Sequence, residues 1–376
     1  MLRKLLGITP GVAAFLLLSF TGGGELRAQG EGNTILSGPE QPVTRVGNRG
    51  GAFLQIGVGA RANGLGGAAT TIAEGADALY WNPAGTAFLE SFDLGFSYAQ
   101  LYEDSDINHY YFGTLIPFAG GMLGISVNTL SSGDIPRAQE TTPSTDNVAL
   151  GSTFEWASTA AGLTYSRMIT DRLAFGATGK WVNEGIDGAE ANWFALDLGV
   201  RFNTGLYGTT LSARAANISG SAKMTGSLIE ERRTSASETF PETERTIDFD
   251  LTTTALLLPT TFAFGLMIDF TGTPEAWLSS NPKHRLAGVL DIGDATNTDI
   301  QTAIGLEYNY DEIIYLRTGK RWMNEAESNR DFSDGMAFGF GLRLGLLGKA
   351  MSFDYAYTML VEGLGRQQVF SVEWGL

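Results

Sequence analysis

A glycine-rich stretch near the beginning of the chain has the spacing of a nucleotide-binding loop. Residues Gly57 to Ala62 fit the pattern G-x-G-x-x-A, and Asp77 follows where that fingerprint places an acidic residue. The fingerprint works only as a strand, a turn and a helix inside a β-α-β unit, and no helical crossover pattern follows it. The sequence therefore predicts no nucleotide cofactor, and the glycines are better explained by a backbone that folds tightly in a confined space.

Other residue types that support chemistry are scarce. The chain has two histidines and no cysteine, and neither His109 nor His284 has a partner at the spacing of a metal site. Ser105 is the only serine close to His109 in the sequence, so these two residues are the best candidate for a nucleophile and its general base. The place of His109 beside Tyr110, near the outer end of a predicted strand, favours a position at the membrane interface over a general base. We therefore expect no catalytic residue, no metal and no cofactor.

The first residues predict export. Arg3 and Lys4 precede an apolar run over residues 5–20, and small and polar residues follow up to Ala28, which is the order of a signal peptide over residues 1–29. A membrane anchor is the alternative, and it is disfavoured because the run is short and interrupted by glycine and proline. The formal net charge of −16 at pH 7 argues against nucleic-acid binding, which needs a basic surface.

From Asp93 to Leu376, apolar residues recur at every second position. In residues 337–347, phenylalanine and leucine occupy one face while glycine and arginine occupy the other, which indicates strands with one apolar face. Three features favour an outer-membrane barrel over a soluble sheet. The strands are about ten residues long, the chain is exported without a later apolar helix, and aromatic residues lie near the strand ends. These aromatic residues are Tyr98, Tyr102, Trp193, Tyr207, Tyr308, Tyr310, Trp322, Tyr355, Tyr357 and Trp374.

The alternating segments number about fourteen, and bacterial single-chain barrels have an even number of strands. Their connections alternate between short turns, such as 205–208, and a second set that includes the long loops 132–153, 219–260 and 323–334. The connection 271–283 is the exception, because it is long although it belongs to the set of short turns. Short periplasmic turns and long external loops are typical of bacterial outer-membrane barrels. We therefore predict an all-β fold, a transmembrane antiparallel β-barrel over residues 93–376 in outer-membrane lipid.

The last predicted strand is amphipathic, with Phe370, Val372, Trp374 and Leu376 on one face. A strand of this kind lets a barrel close without an unpaired edge. It also resembles the C-terminal signal that the barrel-assembly machinery reads, so we predict that machinery as a partner. An ordinary last strand of a soluble sheet is the alternative.

Charged residues of both signs occur on the small-residue faces of the predicted strands, which would face the lumen. Two interpretations stay open, because such charges either pair to fill and rigidify the interior or line a path for a solute. The residues are Lys180, Asp197, Arg201, Asp269, Glu307, Arg343, Asp354 and Glu373.

The long loop 219–260 is acidic and ends in the apolar residues 255–259. Its length would let it fold back over the mouth of the barrel or contact a partner protein, and a mobile solvated loop is the alternative. Because exposed apolar runs are unusual, we expect its apolar end to pack against another part of the protein.

A family resemblance explains the glycine-rich stretch. The segment 53–88 resembles the N-terminal signature of the PorV/PorQ family, a branch of the FadL-like fourteen-stranded barrels, and residues 257–270 resemble the family's entry into its eighth strand. The resemblance implies that residues 51–92, within the N-terminal segment 30–92, form a hatch that plugs the lumen. It implies a hatch motif of Asn82, Pro83 and Ala84 and a hatch turn containing Gly59, Arg61, Gly64, Gly66 and Gly67.

The same resemblance implies a function without enzymatic activity. PorV-like barrels serve type IX protein secretion, in which they bind the C-terminal sorting domains of secreted proteins and pass them to surface attachment. The implied partners are those secreted proteins and other type IX secretion components. FadL-like barrels instead take up long-chain fatty acids or other hydrophobic small molecules, which is the alternative function.

Overall fold

A computed structural model describes residues 47–103, 105–138, 149–226, 230–236, 244–250, 253–323, 333–346, 348–360 and 364–375 of the chain. The predicted signal peptide over residues 1–29 and the C-terminal residue Leu376 lie outside these ranges.

Fourteen antiparallel strands form a barrel, and we number them β1 to β14 along the chain. Each strand pairs with its neighbours in the chain, and β1 also pairs with β14, where Tyr98 lies opposite Phe370, so the sheet closes. The predicted barrel of about fourteen strands is therefore confirmed. The strands are Asp93–Gln100, Asn108–Phe118, Gly121–Ser131, Trp156–Met168, Leu173–Ile186, Ala189–Asn203, Thr209–Ser219, Thr261–Thr271, His284–Ala295, Gln301–Tyr310, Ile314–Met323, Met336–Leu346, Lys349–Met359 and Arg366–Trp374.

The two faces of the barrel differ as the alternation predicts. Phe194 and Phe264 are 79% and 66% exposed on the outside, whereas Ala195 and Asp197 beside Phe194 in β6 are buried inside. This is the inverted arrangement of a membrane barrel, in which apolar side chains face lipid. Among the described residues, no helix has the length and the apolar composition that crossing a membrane requires.

Two of the expected interface residues lie inside the lumen instead. His109 is 2% exposed and Trp193 is 3% exposed, because both occupy inward-facing positions of their strands. The Trp193 indole nitrogen donates a hydrogen bond to the carbonyl oxygen of Leu256 at 2.8 Å. The prediction was wrong for these two side chains because position near a strand end says nothing about which face a residue occupies.

Long and short connections define the two ends of the barrel. The loops that follow β3, β7 and β11 are long, which makes this the external end by the rule for bacterial barrels. They carry two short hairpins, Ile135–Ala138 with Ala149–Phe154 and Glu230–Ala236 with Glu244–Asp250, and the two-residue strand Thr225–Gly226. As predicted, the apolar end of the β7–β8 loop packs against the protein, through the partly buried Leu256 and the fully buried Leu258, while Leu257 is 39% exposed.

The hatch comprises the described residues that precede β1. It consists of short helical turns separated by extended segments, and most of its side chains are buried. Two α-helical turns are α1, Ala60–Gly64, and α2, Ala78–Trp81; three 3-10 turns are Ala52–Gln55, Gly75–Asp77 and Pro83–Phe88. Helix α1 contacts β12, β13 and β14, and the last turn contacts β4, β5 and β6, so the hatch spans the lumen.

Candidate functional site

A continuous chain of charged side chains crosses the lumen and passes through the hatch. Arg61 of α1 pairs with Glu307 of β10 at 2.8 Å and approaches the hatch residue Glu74 at 3.9 Å. Glu74 in turn pairs with Arg201 of β6 at 3.0 Å. On the other side, Arg317 of β11 joins Glu307 at 2.7 Å and Asp354 of β13 at 2.5 Å. We call these six residues the lumen charge chain.

Further wall residues hold the backbone of the hatch. The amide of Ala76 donates to Asp93 and to Glu373, each at 2.8 Å. The amides of Ala69 and Thr70 donate to one carboxylate oxygen of Asp291 at 2.8 and 2.7 Å. Acidic side chains of the wall therefore satisfy hatch amides that have no partner in a helix or sheet, which a buried segment requires.

The residues of the hatch motif meet at one tight turn. The Asn82 side-chain oxygen accepts from the Ala84 amide at 3.1 Å, and its nitrogen donates to the carbonyl oxygen of Thr70 at 2.9 Å. Asn82 is fully buried, and Pro83 begins the last 3-10 turn. The turn fits against the wall because Gly199 and Gly176 have no side chain. A Cβ at Gly199 would overlap the Asn82 side chain, and one at Gly176 would overlap Pro83.

Three residues of the hatch turn, Gly64, Gly66 and Gly67, lie against β11 and β12. Gly66 and Gly67 have φ angles of 69° and 84°, which only glycine adopts readily. Gly64 packs on Gly339, and a Cβ at either position would meet the backbone of the other at about 3 Å. Gly59 precedes α1 with a φ of 78°, and a Cβ there would overlap the Asp77 carboxylate.

Asp77 is a hatch carboxyl group whose ionisation is strongly affected by the fold. Burial, followed by the negative charge of Asp354, raises the pKa of Asp77 to about 7. It lines a cavity of about 30 Å³ together with Arg61, Arg317 and Glu373. The hatch therefore contains a carboxyl group that changes charge near neutral pH.

A larger cavity of about 100 Å³ lies between the hatch and the wall formed by β5 to β11. The hatch contributes Tyr80 and Trp81, whose rings meet edge to face with centroids 5.2 Å apart. Burial raises the pKa of Tyr80 to about 12, so its hydroxyl keeps the proton that it donates to the carbonyl oxygen of Leu54. The space exists because the wall there carries small side chains, namely Ala216, Ala263, Gly293, Ala295 and Ala303.

Charged side chains border the same cavity. Lys180 pairs with Asp197 at 2.7 Å and with the Asn217 side chain at 2.5 Å. Asp291 and the guanidinium groups of Arg214 and Arg321 complete this side. The aromatic and charged residues are adjacent, because the Arg214 guanidinium lies over the Trp81 ring at 5.4 Å from its centroid. A site that combines apolar and polar groups can bind a small molecule that has an apolar body and a polar end.

The sheet is irregular beside this cavity. Leu196 of β6 lies opposite Ile218 of β7, but Leu198 lies opposite Ala215, so the ladder shifts register between them. Asn217 in this gap has a φ of 61°, and its backbone amide donates to the Asp197 side-chain carboxylate at 2.7 Å instead of to a backbone carbonyl of β6. The wall between cavity and lipid is therefore held by side chains where it lacks a regular ladder.

The remaining predicted residues lie in the last strand. Phe370 is 49% exposed on the lipid face of β14, and Val372 and Trp374 follow it as partly exposed residues. Trp374 contacts the ring of Phe92, with centroids 5.7 Å apart. Leu376 lies outside the described residues. Recognition by the barrel-assembly machinery stays a prediction.

Several residues of the site were missed by the sequence patterns. Glu74, Arg214, Asp291 and Arg321 have no motif, and only their inward-facing parity or their place in the hatch could have drawn attention to them. Within the described ranges, His, Asp and Glu side chains form no cluster of three or more that could hold a metal ion.

Comparison with solved structures matches the whole barrel. The toluene transporter TodX of Pseudomonas putida superposes with a TM-score of 0.52 at 13% identity, over 83% of this chain and 95% of that chain. The toluene transporter TbuX of Ralstonia pickettii gives 0.50 at 12% identity, over 85% and 97%. The monoaromatic hydrocarbon channel CymD gives 0.50 at 11% identity, over 85% and 97%. No family model and no curated protein sequence matches the chain at a significant level.

These superpositions establish the fold, and sequence identities of 11–13% leave the function open. The FadL-like barrel expected from the sequence is the fold observed, and the protein is a β-barrel of the bacterial outer membrane. Membership of the PorV/PorQ branch stays a prediction, because these structural neighbours are transporters of hydrocarbons.

Proposed function

We propose that this protein is an outer-membrane transporter of small hydrophobic molecules. The observation that carries the proposal is the cavity of about 100 Å³ between Trp81 of the hatch and the wall, directly beside the register shift of β6 and β7. Its lining combines aromatic and small apolar side chains with many polar and charged ones. Concave sites with apolar surface and convergent polar groups are typical of small-molecule binding. The fold similarity to toluene transporters supports the same class of ligand.

The register shift offers an exchange route between cavity and lipid. Asp197 and Asn217 line the cavity, and the neighbouring Leu196 and Ile218 are 43% and 40% exposed on the lipid face. A small rearrangement at this position would connect the cavity with the lipid. The strands there are joined through the Asp197 side chain and lack a regular ladder of backbone hydrogen bonds. An apolar molecule that leaves through the wall avoids the aqueous end of the barrel.

The route toward the periplasm passes the hatch. The lumen charge chain and the amide contacts of Asp93, Glu373 and Asp291 hold the hatch in the closed arrangement. Transport along the barrel axis therefore requires these contacts to break. Lateral exchange at β6 and β7 requires fewer contacts to break.

Uptake by whole cells tests the proposal. We expect a porin-deficient strain that produces the protein to accumulate radiolabelled toluene faster than the same strain without it. Ala216→Leu fills the cavity from β7 and is expected to abolish the gain. Ala213→Leu is the matched control. Ala213 is on the same strand as Ala216, but it shares the lipid-facing side of the strand with Leu211 and so does not line the cavity. Equal accumulation with and without the protein would contradict the proposal.

The sealed lumen favours a second candidate, the PorV-like shuttle of type IX secretion. A shuttle needs no open channel, and the buried hatch together with the long β7–β8 loop, which carries the hairpin Glu230–Ala236 and Glu244–Asp250, fits that role. Affinity purification from native outer membranes distinguishes the two. Co-purified surface proteins that share a C-terminal domain support the shuttle, and purification without any such protein opposes it.

A further inference from the structure

The connection between β8 and β9, residues 272–283, is long for the periplasmic end of a bacterial barrel. It folds back along the end of β8 instead of projecting away from it. The amide of Trp277 donates to the carbonyl oxygen of Asp269 at 2.9 Å. The amide of Leu278 donates to the carbonyl oxygen of Phe270, also at 2.9 Å. Backbone hydrogen bonds therefore hold Trp277 and Leu278 against the end of the strand.

Both of these large apolar side chains are exposed. Trp277 is 55% exposed and Leu278 is 69% exposed. The Trp277 ring packs on the Phe270 ring, with centroids 5.9 Å apart. Phe270 lies on the lipid-facing side, because its ring covers Gly288 next to the side chain of Leu306, which is 44% exposed on β10. Trp277 therefore extends the lipid-facing surface of β8 beyond the end of the strand.

The neighbouring turn between β6 and β7 enlarges this apolar surface. Leu206 and Tyr207 are 65% and 66% exposed. The turn is adjacent to the connection, because the carbonyl oxygen of Gly208 accepts from the Asp269 amide at 3.1 Å, and the carbonyl oxygen of the same Asp269 binds the Trp277 amide. We call the four exposed side chains the rim patch, and they are Leu206, Tyr207, Trp277 and Leu278.

The rim patch and its surroundings fit the headgroup layer of a membrane. Contiguous exposed apolar side chains mark a surface that contacts another protein or a membrane. The contact of Trp277 with the lipid-facing Phe270 favours the membrane, because it makes the patch continuous with the surface that lipid already covers. Trp and Tyr rings favour the boundary between hydrocarbon and water, and the exposed Ser279, Ser280 and Lys283 suit the polar side of that boundary.

We infer that residues 272–283 form an interfacial anchor, which places the rim patch in the lipid headgroup layer of the periplasmic leaflet. The partner of this surface is the phospholipid bilayer. Insertion removes apolar surface from water at the periplasmic ends of β7 and β8. The anchor does not depend on transport, so its test is separate from that of the proposed function.

Single-cysteine variants that carry an environment-sensitive fluorophore test the anchor, because the chain contains no cysteine of its own. The full-length protein is reconstituted in vesicles of phosphatidylethanolamine and phosphatidylglycerol. Leu278→Cys reports on the rim patch. Phe264→Cys, in the middle of the lipid-facing side of β8, is the hydrocarbon reference, and Asp171→Cys, whose side chain is 87% exposed in a periplasmic turn, is the water reference.

Two quenchers locate each fluorophore, namely iodide in the water and lipid with a spin label at the top of its acyl chain. We expect iodide to quench the label at Leu278→Cys about half as much as that at Asp171→Cys or less, because the headgroup level is less accessible to iodide than water is. The spin-labelled lipid is expected to quench the label at Leu278→Cys more than that at Asp171→Cys. Equal quenching at these two positions would place the patch in water, as for a surface that binds another protein, and would overturn the inference.

A second substitution separates the anchor from an effect of the fluorophore. Trp277→Ser in the Leu278→Cys protein is expected to raise iodide quenching toward the value of Asp171→Cys, because the indole that holds the segment at the interface is gone. Trp322→Ser is the matched control, since Trp322 is 44% exposed at the external end of β11. Iodide quenching that is the same with Trp277→Ser as with Trp322→Ser would overturn the inference.

Discussion

Arg61 and Glu307 form a two-bond ion pair that joins the hatch to the barrel wall. The Arg61 Nε donates to one carboxylate oxygen at 2.9 Å and its Nη2 donates to the other at 2.8 Å. Paired, parallel hydrogen bonds of this kind fix direction as well as distance. This contact sets the position of α1 and thereby of Gly66 and Gly67, the residues of the hatch turn that follow it.

Replacing Arg61 is expected to loosen the hatch while the barrel stays closed. Arg61→Gln removes both bonds to Glu307, which keeps its contact with Arg317, so we expect a loss of about 1.5–3 kcal/mol in hatch docking. Hydrogen exchange measured by mass spectrometry should report faster exchange in residues 60–75 and unchanged exchange in β1 to β14. Arg172→Gln, at an exposed turn, is the control, and equal hatch protection in both variants would contradict the prediction.

Two glycines of β5 provide a matched test of how the hatch motif fits the wall. A Cβ at Gly176 would overlap Pro83, whereas no atom of the described residues lies within 4 Å of a Cβ at Gly179. Gly176→Ala is therefore expected to destabilise the protein by about 1–3 kcal/mol through overpacking, and Gly179→Ala is expected to be tolerated. Thermal unfolding in detergent measures both. Similar unfolding temperatures for the two variants would argue against close packing of Pro83.

Hatch stability is expected to depend on pH through Asp77. Burial and the neighbouring Asp354 raise its pKa to about 7 from 3.8. An acid with a raised pKa in the folded state contributes stability that is complete below about pH 3.8 and is lost as the pH rises through about 7. Hydrogen exchange of residues 60–80, corrected for the intrinsic rate, should therefore show weaker protection at pH 8.5 than at pH 5.

Asp77→Asn is the variant that isolates this effect, because the amide is similar in shape and does not ionise. We expect its hatch protection to change less between the two pH values than that of the original protein. An unaltered pH dependence in the variant would assign the effect to another group.

The register shift between β6 and β7 is expected to depend on Asp197. This carboxylate accepts the Asn217 amide at 2.7 Å and pairs with Lys180 at 2.7 Å. Asp197→Ala therefore leaves the buried Asn217 amide without a partner and the Lys180 ammonium group without its carboxylate, with only the Asn217 side-chain oxygen as a remaining partner. We expect a loss of about 3–5 kcal/mol, measured by denaturant unfolding in detergent. Asp171→Ala is the control, because the Asp171 side chain is 87% exposed. A loss below about 1 kcal/mol would show that the wall does not rely on Asp197.

Much of the fold follows from local sequence patterns. The alternation of apolar residues predicts the strands and which face of each meets lipid, because successive side chains of a strand point to opposite faces. The lengths of the connections predict which end is external. The glycines of the hatch segment predict tight packing, and the close approach of Gly64 to Gly339 is an instance of it.

The contacts that form the candidate site depend on the closed barrel. Arg61 and Glu307 are 246 positions apart in the chain, and they meet because β10 faces the hatch across the lumen. His109 and Trp193 point inward because strand parity overrides their position near an end. The cavity and the register shift beside Asn217 depend on which strands lie side by side and at what stagger. A single strand determines its own faces, but only closure of the sheet determines which inward-facing side chains come within contact distance.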